Sequence, residues 1–216
     1  MPPAIPAATV VLIRDGADGL ETLMLRKNAA LAFGGMWVFP GGRVDPDDGE
    51  GEEGARRAAA RESREEADLV VDPTTLVPYS HWVPPPIAPK RFATWFFLAP
   101  APAGGEVTID MGEIHEHVWV TPGQAIARHG AGEIELAPPT WVTLNRLADA
   151  PDVAAALVDA ETGAVERFET HITKLASGEV AATWHGDVAY DGGDGDAPGP
   201  RHRLVMRKGP WSYERD

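Results

Sequence analysis

The chain has 216 residues and no cysteine. That absence excludes a disulfide framework, a thiolate nucleophile and a cysteine-ligated zinc or iron–sulfur centre. Positive charge is scarce: 19 Lys and Arg stand against 33 Asp and Glu, a formal net charge of −14. A general nucleic-acid or anionic-membrane binder needs a basic face to displace counterions, so neither partner is expected. Long hydrophobic runs are missing too. In the opening MPPAIPAATVVLIRDG the apolar run is only Val10–Ile13, with no basic segment before it. Neither a signal peptide nor a membrane span is expected there, and a soluble cytoplasmic protein is the default. What is present suffices for a core: 44% of residues are hydrophobic, and a chain of this size buries roughly 70% of its unfolded surface. The 23 Gly and 20 Pro predict many turns rather than long bundled helices.

Thr9–Arg14 and Glu21–Arg26 are apolar, β-branched runs around a Gly/Asp cluster and predict a hairpin with a longish loop. Met36–Phe39 predicts a short strand stopped at Pro40-Gly41-Gly42. Asp45–Glu53 is polar and acidic and predicts a solvated loop. Gly54–Ala67 is the strongest helix, rich in Ala, Arg and Glu without proline; Ala55, Ala58, Ala59 and Glu62 share a stripe, followed by Glu66. Strands are expected at Val77–Val83, ended by three prolines, at Arg91–Leu98 in a central position, at Val107–Ile109 and at Val118–Thr121. Helices are expected at Pro122–Arg128, with Thr121 as N-cap, at Pro139–Leu147 and at Val153–Val158. Alternating segments at Val165–Ile172, Val180–Trp184 and His202–Met206 read as further strands, and Asp191–Pro200 as a flexible loop. Irregular alternation of strands and helices places the chain in a mixed α/β (α+β) class rather than a doubly wound one.

Glu62, Glu65 and Glu66 lie three and four residues apart on one helical face. Without a cation such neighbours repel mildly, and on a solvated helix they need no function. Context alters this: the helix follows Phe39-Pro40-Gly41-Gly42, a strand running into a glycine turn whose backbone can approach a ligand.

The stretch Gly42…Glu53…Arg61-Glu62-Ser63-Arg64-Glu65-Glu66-Ala67-Asp68-Leu69 resembles the box of the MutT/Nudix hydrolases, G-x5-E-x7-R-E-U-x-E-E-x-G-U. Glu53 and Arg61 keep the required seven-residue gap, and R-E-x-x-E-E is intact. Three departures stand out: ten residues rather than five separate Gly42 from Glu53, Ser63 replaces an apolar residue, and Asp68 replaces the late glycine. FGGMWVFPGGRVDPDD, PKRFATWFF, the run from Glu113 to Trp119 and APPT at Ala137–Thr140 resemble one Nudix branch with a longer box loop, which includes coenzyme A diphosphatases. The likeness covers about Ala8 to Leu147.

The resemblance implies an α/β/α sandwich with a mixed sheet over residues 8–148; residues 149–216 carry no motif and are expected as an extension packed on the same domain, whether as extra strands, a dimer contact or a substrate lid. It implies hydrolysis of a diphosphate bond in a nucleoside diphosphate joined to another group, by water attack on phosphorus with Mg²⁺ or Mn²⁺. It assigns metal binding to Glu62, Glu65, Glu66 and the Gly41 carbonyl, an orienting role to Arg61, and a ligand or supporting role to Glu53. The general base is a glutamate, either in the box (Glu65 or Glu66) or at Glu113 or Glu116 on the later loop, which otherwise reads as solvated acid. His115 and His117 read as exposed loop residues. Lys90 and Arg91 are candidates for substrate phosphates, or an ordinary surface pair. Trp37, Trp82 and Trp95 are either stacking surfaces or core.

Coenzyme A diphosphatases carry two arginines five residues apart and then a glycine upstream of FPGG. Arg26, Gly35 and FPGG fit that pattern, but Leu31 holds the second arginine position and Lys27 stands where a small residue is usual. Coenzyme A is therefore one candidate among nucleotide sugars, dinucleoside polyphosphates, NADH-type dinucleotides and capped RNA ends. A non-catalytic Nudix-fold binding module is the alternative of another class. A homodimer is compatible with the sequence.

Overall fold

Strand β1 (Ile5–Gly16) is apolar on both faces and so has to be covered on both. Ala8, Val10 and Leu12 enter one buried cluster, while Val11 and Ile13 enter another on the opposite side. The computed structural model, describing residues 4–30, 34–88 and 90–216, builds two helical layers around this strand. Leu31 and Phe33 lie outside the described residues.

β2 (Gly19–Lys27) returns antiparallel to β1 with Ile13 opposite Thr22. The connection is tight rather than long: Gly16 faces Gly19, and Gly19 takes φ +112°, which a side chain would strain. β3 (Trp37–Val38) pairs with β2. The glycine turn does not end pairing, because Gly41–Arg43 forms β4 against β1, with Ala8 opposite Gly42. A Cβ on Gly41 would lie 2.2 Å from Thr9 Oγ1, so the strands meet this closely only through glycine.

Helix α1 (Gly51–Ala67) starts three residues before the expected Gly54. The acidic segment before it is not wholly solvated: Pro46–Asp48 is a 3₁₀ turn and Asp48 is buried. β5 (Val77–Val83) and β6 (Phe92–Pro100) follow, and β6 lies parallel to β1 at the sheet centre, with Ala8 opposite Trp95. The expected strand at 107–109 is absent. That segment instead packs Val107 and Ile109 against the α1 side of the core, and Thr108 N–H donates to Ala67 O at 3.0 Å. β7 (Ile114–Val120) begins four residues earlier than expected, since the Asp110 carboxylate accepts from Glu113 and Ile114 N–H and orders its entry.

Three helices cover the other face: α2 (Pro122–Gly130), α3 (Pro138–Leu147) and α4 (Val153–Thr162). Thr121 Oγ1 caps α2 by accepting from Gln124 N–H. β8 (Glu166–Glu169) then joins the main sheet parallel to β5. The path is β3-β2-β1-β6-β5-β8, with β4 attached to β1 and β7 to β2. The result is an α/β/α sandwich around a mixed sheet. A four-stranded antiparallel sheet, β9 (His171–Lys174), β10 (Val180–Thr183), β11 (His202–Met206) and β12 (Ser212–Arg215), completes the described residues. Its Trp184 and Leu204 enter the same cluster as Trp82 and Phe168, so it packs on the α2–α4 side. The loop 191–200 has no regular structure but is tied down: Asp196 accepts from Ala176 N–H, and Gly195 O accepts from Arg203. Among the described residues no helix is long and apolar enough to cross a membrane.

Candidate active site

The box helix lies with its alanine stripe on the sheet, Ala55, Ala58 and Ala59 being at most 1% exposed. That contact turns the following residues on the same side, Glu62 and Glu66, toward the β4 edge. Glu66 is 3% exposed; its Oε2 accepts from Gly41 N–H at 2.9 Å and its Oε1 from Lys27 Nζ at 2.8 Å. Burial pushes the Glu66 carboxyl above its ordinary value, although Lys27 and the Gly41 N–H pull the other way. Burial also works against the Lys27 ammonium, but Glu66 outweighs it and the cation is held. Glu62 is pushed up by burial and by its neighbours Glu66 and Glu65, against the pull of Arg61. It closes over Gly42: a Cβ there would sit 2.3 Å from Glu62 Oε1.

Arg61 is the organiser. Nη1 donates to Glu62 Oε1 and Glu65 Oε2, both at 2.9 Å, and Nη2 donates to Asp48 Oδ2 and Arg43 O, also at 2.9 Å. The hydrogen bond to Asp48 contributes most to holding the guanidinium charged, against burial and with help from Glu62. Burial works against the Asp48 carboxylate, but the Arg61 hydrogen bond and the Asp45 N–H outweigh it, leaving Asp48 below its ordinary value.

The later loop arrives through β7. Its pairing with β2 puts Arg26 opposite Glu116 and Lys27 opposite Ile114, with an irregularity between the two. Glu113 Oε2 thereby stands 3.6 Å from Lys27 Nζ, while Arg26 Nη1 donates to Glu116 Oε2 at 3.3 Å in an exposed pair. Asn28 fixes the loop from β2, its N–H donating to Glu113 O and its Nδ2 to Gly112 O.

The structure thus assembles Glu62, Glu65, Glu66, Arg61, Gly41 and Glu113, with Glu116 one register step away. Glu53 is not brought to them. It sits in the first turn of α1 with a 76% exposed side chain, 3.9 Å from Arg56, and nine residues before Glu62, about 13 Å along the helix axis. His115 and His117 are exposed. Lys90 is exposed, and Arg91 Nη2 donates to Pro84 O across the proline loop. Trp37 and Trp82 are buried at 4% and 3%, which makes them core; Trp95 is half-buried. Asp48 and Lys27 are site residues that the sequence reading did not assign. Asp48 lies in a D-P-D-D turn with capping spacing, where its Oδ2 accepts from Asp45 N–H. Lys27 carried a signal only as a misfit to the arginine pattern.

A family model described as the NUDIX domain matches residues 4–155, which includes every residue of this cluster. The chain belongs to the Nudix family. A putative Nudix hydrolase 7 of Caenorhabditis elegans is 26% identical to this Nudix chain over 168 residues, 61% of the chain and 57% of that relative. The chain therefore spans little more than half the length of that curated relative. A solved Nudix hydrolase from Alicyclobacillus acidocaldarius superposes with a TM-score of 0.68 at 24% identity, covering 76% of this chain and 100% of that one. An Ap4A hydrolase binary complex from C. elegans superposes with a TM-score of 0.52 at 24% identity, covering 72% and 98%. These superpositions establish the Nudix fold.

Proposed function

We propose that this Nudix protein is a divalent-metal-dependent hydrolase that cleaves the diphosphate bond of a nucleoside diphosphate joined to another group, by attack of water on phosphorus. The observation that carries the reading is the Arg61 clamp on Glu62 and Glu65 beside the buried Glu66. A non-catalytic module has no need to hold three like charges together. Mg²⁺ or Mn²⁺ fits the chemistry of the donors: all are hard oxygen ligands, and the carboxylates of Asp48, Glu62, Glu65, Glu66 and Glu113 outnumber the cations of Lys27 and Arg61. Among the described residues no three acidic or histidine side chains already enclose a metal position, and Lys27 occupies one oxygen of Glu66. Glu62, Glu65 and Glu66 would hold the metal, which would supply charge neutralisation for the phosphates and acidify the attacking water.

The remaining work belongs to the chain. Gly41 N–H and Lys27 fix the orientation of Glu66. Arg61 sets the rotamers of Glu62 and Glu65 while Asp48 holds Arg61 in place. Lys27, charged and 14% exposed, is placed to meet phosphate oxygens and to hold Glu113 toward the site. Glu113, with an exposed carboxylate, is the later-loop candidate for accepting the proton of the water; Glu116 is engaged by Arg26. That pairing leaves the partial arginine pattern of coenzyme A diphosphatases with its first member neutralised. Coenzyme A accordingly enters the substrate panel beside dinucleoside polyphosphates, the class named for the Ap4A hydrolase to which the fold is similar.

Phosphorus NMR of the products from a panel of diphosphate compounds with Mg²⁺ or Mn²⁺ tests the reading. Turnover of at least one compound, abolished in a folded Glu66→Gln protein, is expected. No turnover of any, together with tight metal-independent binding of one, would overturn it in favour of a binding module.

A further inference from the structure

One row of cross-strand partners runs from the box out to the far edge of the main sheet. Gly42 faces Ala8, Ala8 faces Trp95, Trp95 faces His81, and His81 faces Arg167. Residues directly opposite in register share a sheet face, and this is the α1 face, because Ala8, Trp95 and Phe97 pack in its cluster. At the near end Glu62 closes over Gly42. At the far end the helix no longer covers the sheet: Trp95 and His81 are half-buried and Arg167 is exposed. The rings of Trp95 and His81 lie 4.7 Å apart with 39° between their planes, and Trp95 lies 6.1 Å from Phe97 at 15°. Arg167 Nη1 reaches to 3.3 Å of His81 Nδ1 and ends the row with a guanidinium. Burial and the Arg167 charge both hold the His81 imidazole below its ordinary value, so its ring beside Trp95 is neutral at pH 7.

We propose that Trp95, His81 and Arg167 form the platform on which the nucleobase of the substrate stacks while its phosphates lie at the box. This rests on the diphosphatase reading above for its ligand class. Three observations select a nucleobase. The surface is aromatic and partly open, with the two rings inclined by 39°, and the Trp95 face gives sequence-tolerant stacking. A guanidinium borders it, suited to stacking or to donating to ring nitrogens and carbonyls. Two inter-strand steps separate Trp95 from Gly42, about 10 Å; Ala8 between them is fully buried in the α1 cluster, so a ribose with its phosphates spans this distance beside the helix and not over Ala8. Trp37 and Trp82, sealed in the core, have no such face to offer.

The test is calorimetric binding of ADP and of inorganic pyrophosphate, each with Mg²⁺, to the full chain and to Trp95→Ala and Trp95→Phe. Trp95→Ala is expected to weaken ADP by roughly 5- to 100-fold, the range of base–aromatic stacking, and to leave pyrophosphate within twofold. Trp95→Phe, which keeps a π-face, is expected to recover most of the ADP affinity and guards against loss of folding in the alanine protein. Equal weakening of both ligands, unchanged ADP binding, or no ADP binding by the unsubstituted chain would each overturn the platform. The outcome is separable from the hydrolase reading: a protein that turns over no diphosphate yet binds ADP through Trp95 keeps the platform and loses the activity.

Discussion

At the scale of single residues, the site depends on two residues that are not candidate metal ligands, Asp48 and Gly42. Asp48 is 7% exposed and anchors the guanidinium that orients two glutamates. Asp48→Asn keeps the shape but removes a charge-assisted hydrogen bond, so a loss of about 1.5–3 kcal/mol is expected in urea denaturation. Activity should fall by an order of magnitude or more, because Arg61 is then free to leave Glu62 and Glu65. Gly42→Ala is the complementary case. Its added methyl collides with the end of the Glu62 side chain, which can swing away, rather than with backbone. Circular dichroism and the melting temperature should therefore change little while kcat/KM drops at least tenfold; an unaltered rate would show that the Glu62 position is immaterial.

At the scale of elements, α1 shows what the residues revealed and what they hid. The alanine stripe and the R-E-x-x-E-E spacing were legible because period and charge are local properties. Two of the three departures from the box, Ser63 and Asp68, looked like unrelated defects but meet in space at the helix end. Ser63 Oγ donates to Leu69 O at 2.8 Å, Leu69 N–H donates back to Ser63 O, and Asp68 takes the left-handed conformation at φ 56°. A hydroxyl on an apolar face is thus satisfied by the turn that the aspartate makes. Ser63→Ala should cost about 1–3 kcal/mol by orphaning a buried carbonyl. Asp68→Gly should gain about 1 kcal/mol by relieving the left-handed strain, read as a melting temperature higher by roughly 2–4 °C. The expected strand at 107–109 failed because its apolar residues are recruited by the end of α1, a long-range contact invisible to local pattern. Asp48 was passed over for a similar reason: its partner lies thirteen residues on, and an acid-rich stretch looks the same solvated or buried.

At the scale of the whole molecule, the C-terminal strands are held by a pair the local sequence did not advertise. Arg203 and Asp187 are 2% and 0% exposed at the side chain, with Nε and Nη2 both donating at 2.6 Å, and Asp187 also accepts from Ala189 and His202 N–H. Burial works against the Asp187 carboxylate, but the Arg203 hydrogen bonds and the backbone donors outweigh it and hold it below its ordinary 3.8. Its contribution is accordingly complete above pH 4 and is lost as pH falls through the depressed folded-state value. Asp187→Asn should cost about 3–5 kcal/mol near neutrality, since it leaves a buried guanidinium uncompensated. Its urea midpoint should decline less steeply below pH 4 than that of the unsubstituted chain; parallel acid limbs would remove Asp187 from the account. Finally, β8 completes the sheet by pairing Glu166 with Ser80, and this has a temporal meaning. During synthesis at roughly 5–20 residues per second, β5 waits some 4–17 s for its neighbour to emerge. For that interval it is a naked, largely apolar sheet border of the kind that seeds intermolecular pairing. The exposed stretch is Ser80–Val83, which only β8 covers, so the nascent chain stays prone to sticking to its siblings until β8 arrives.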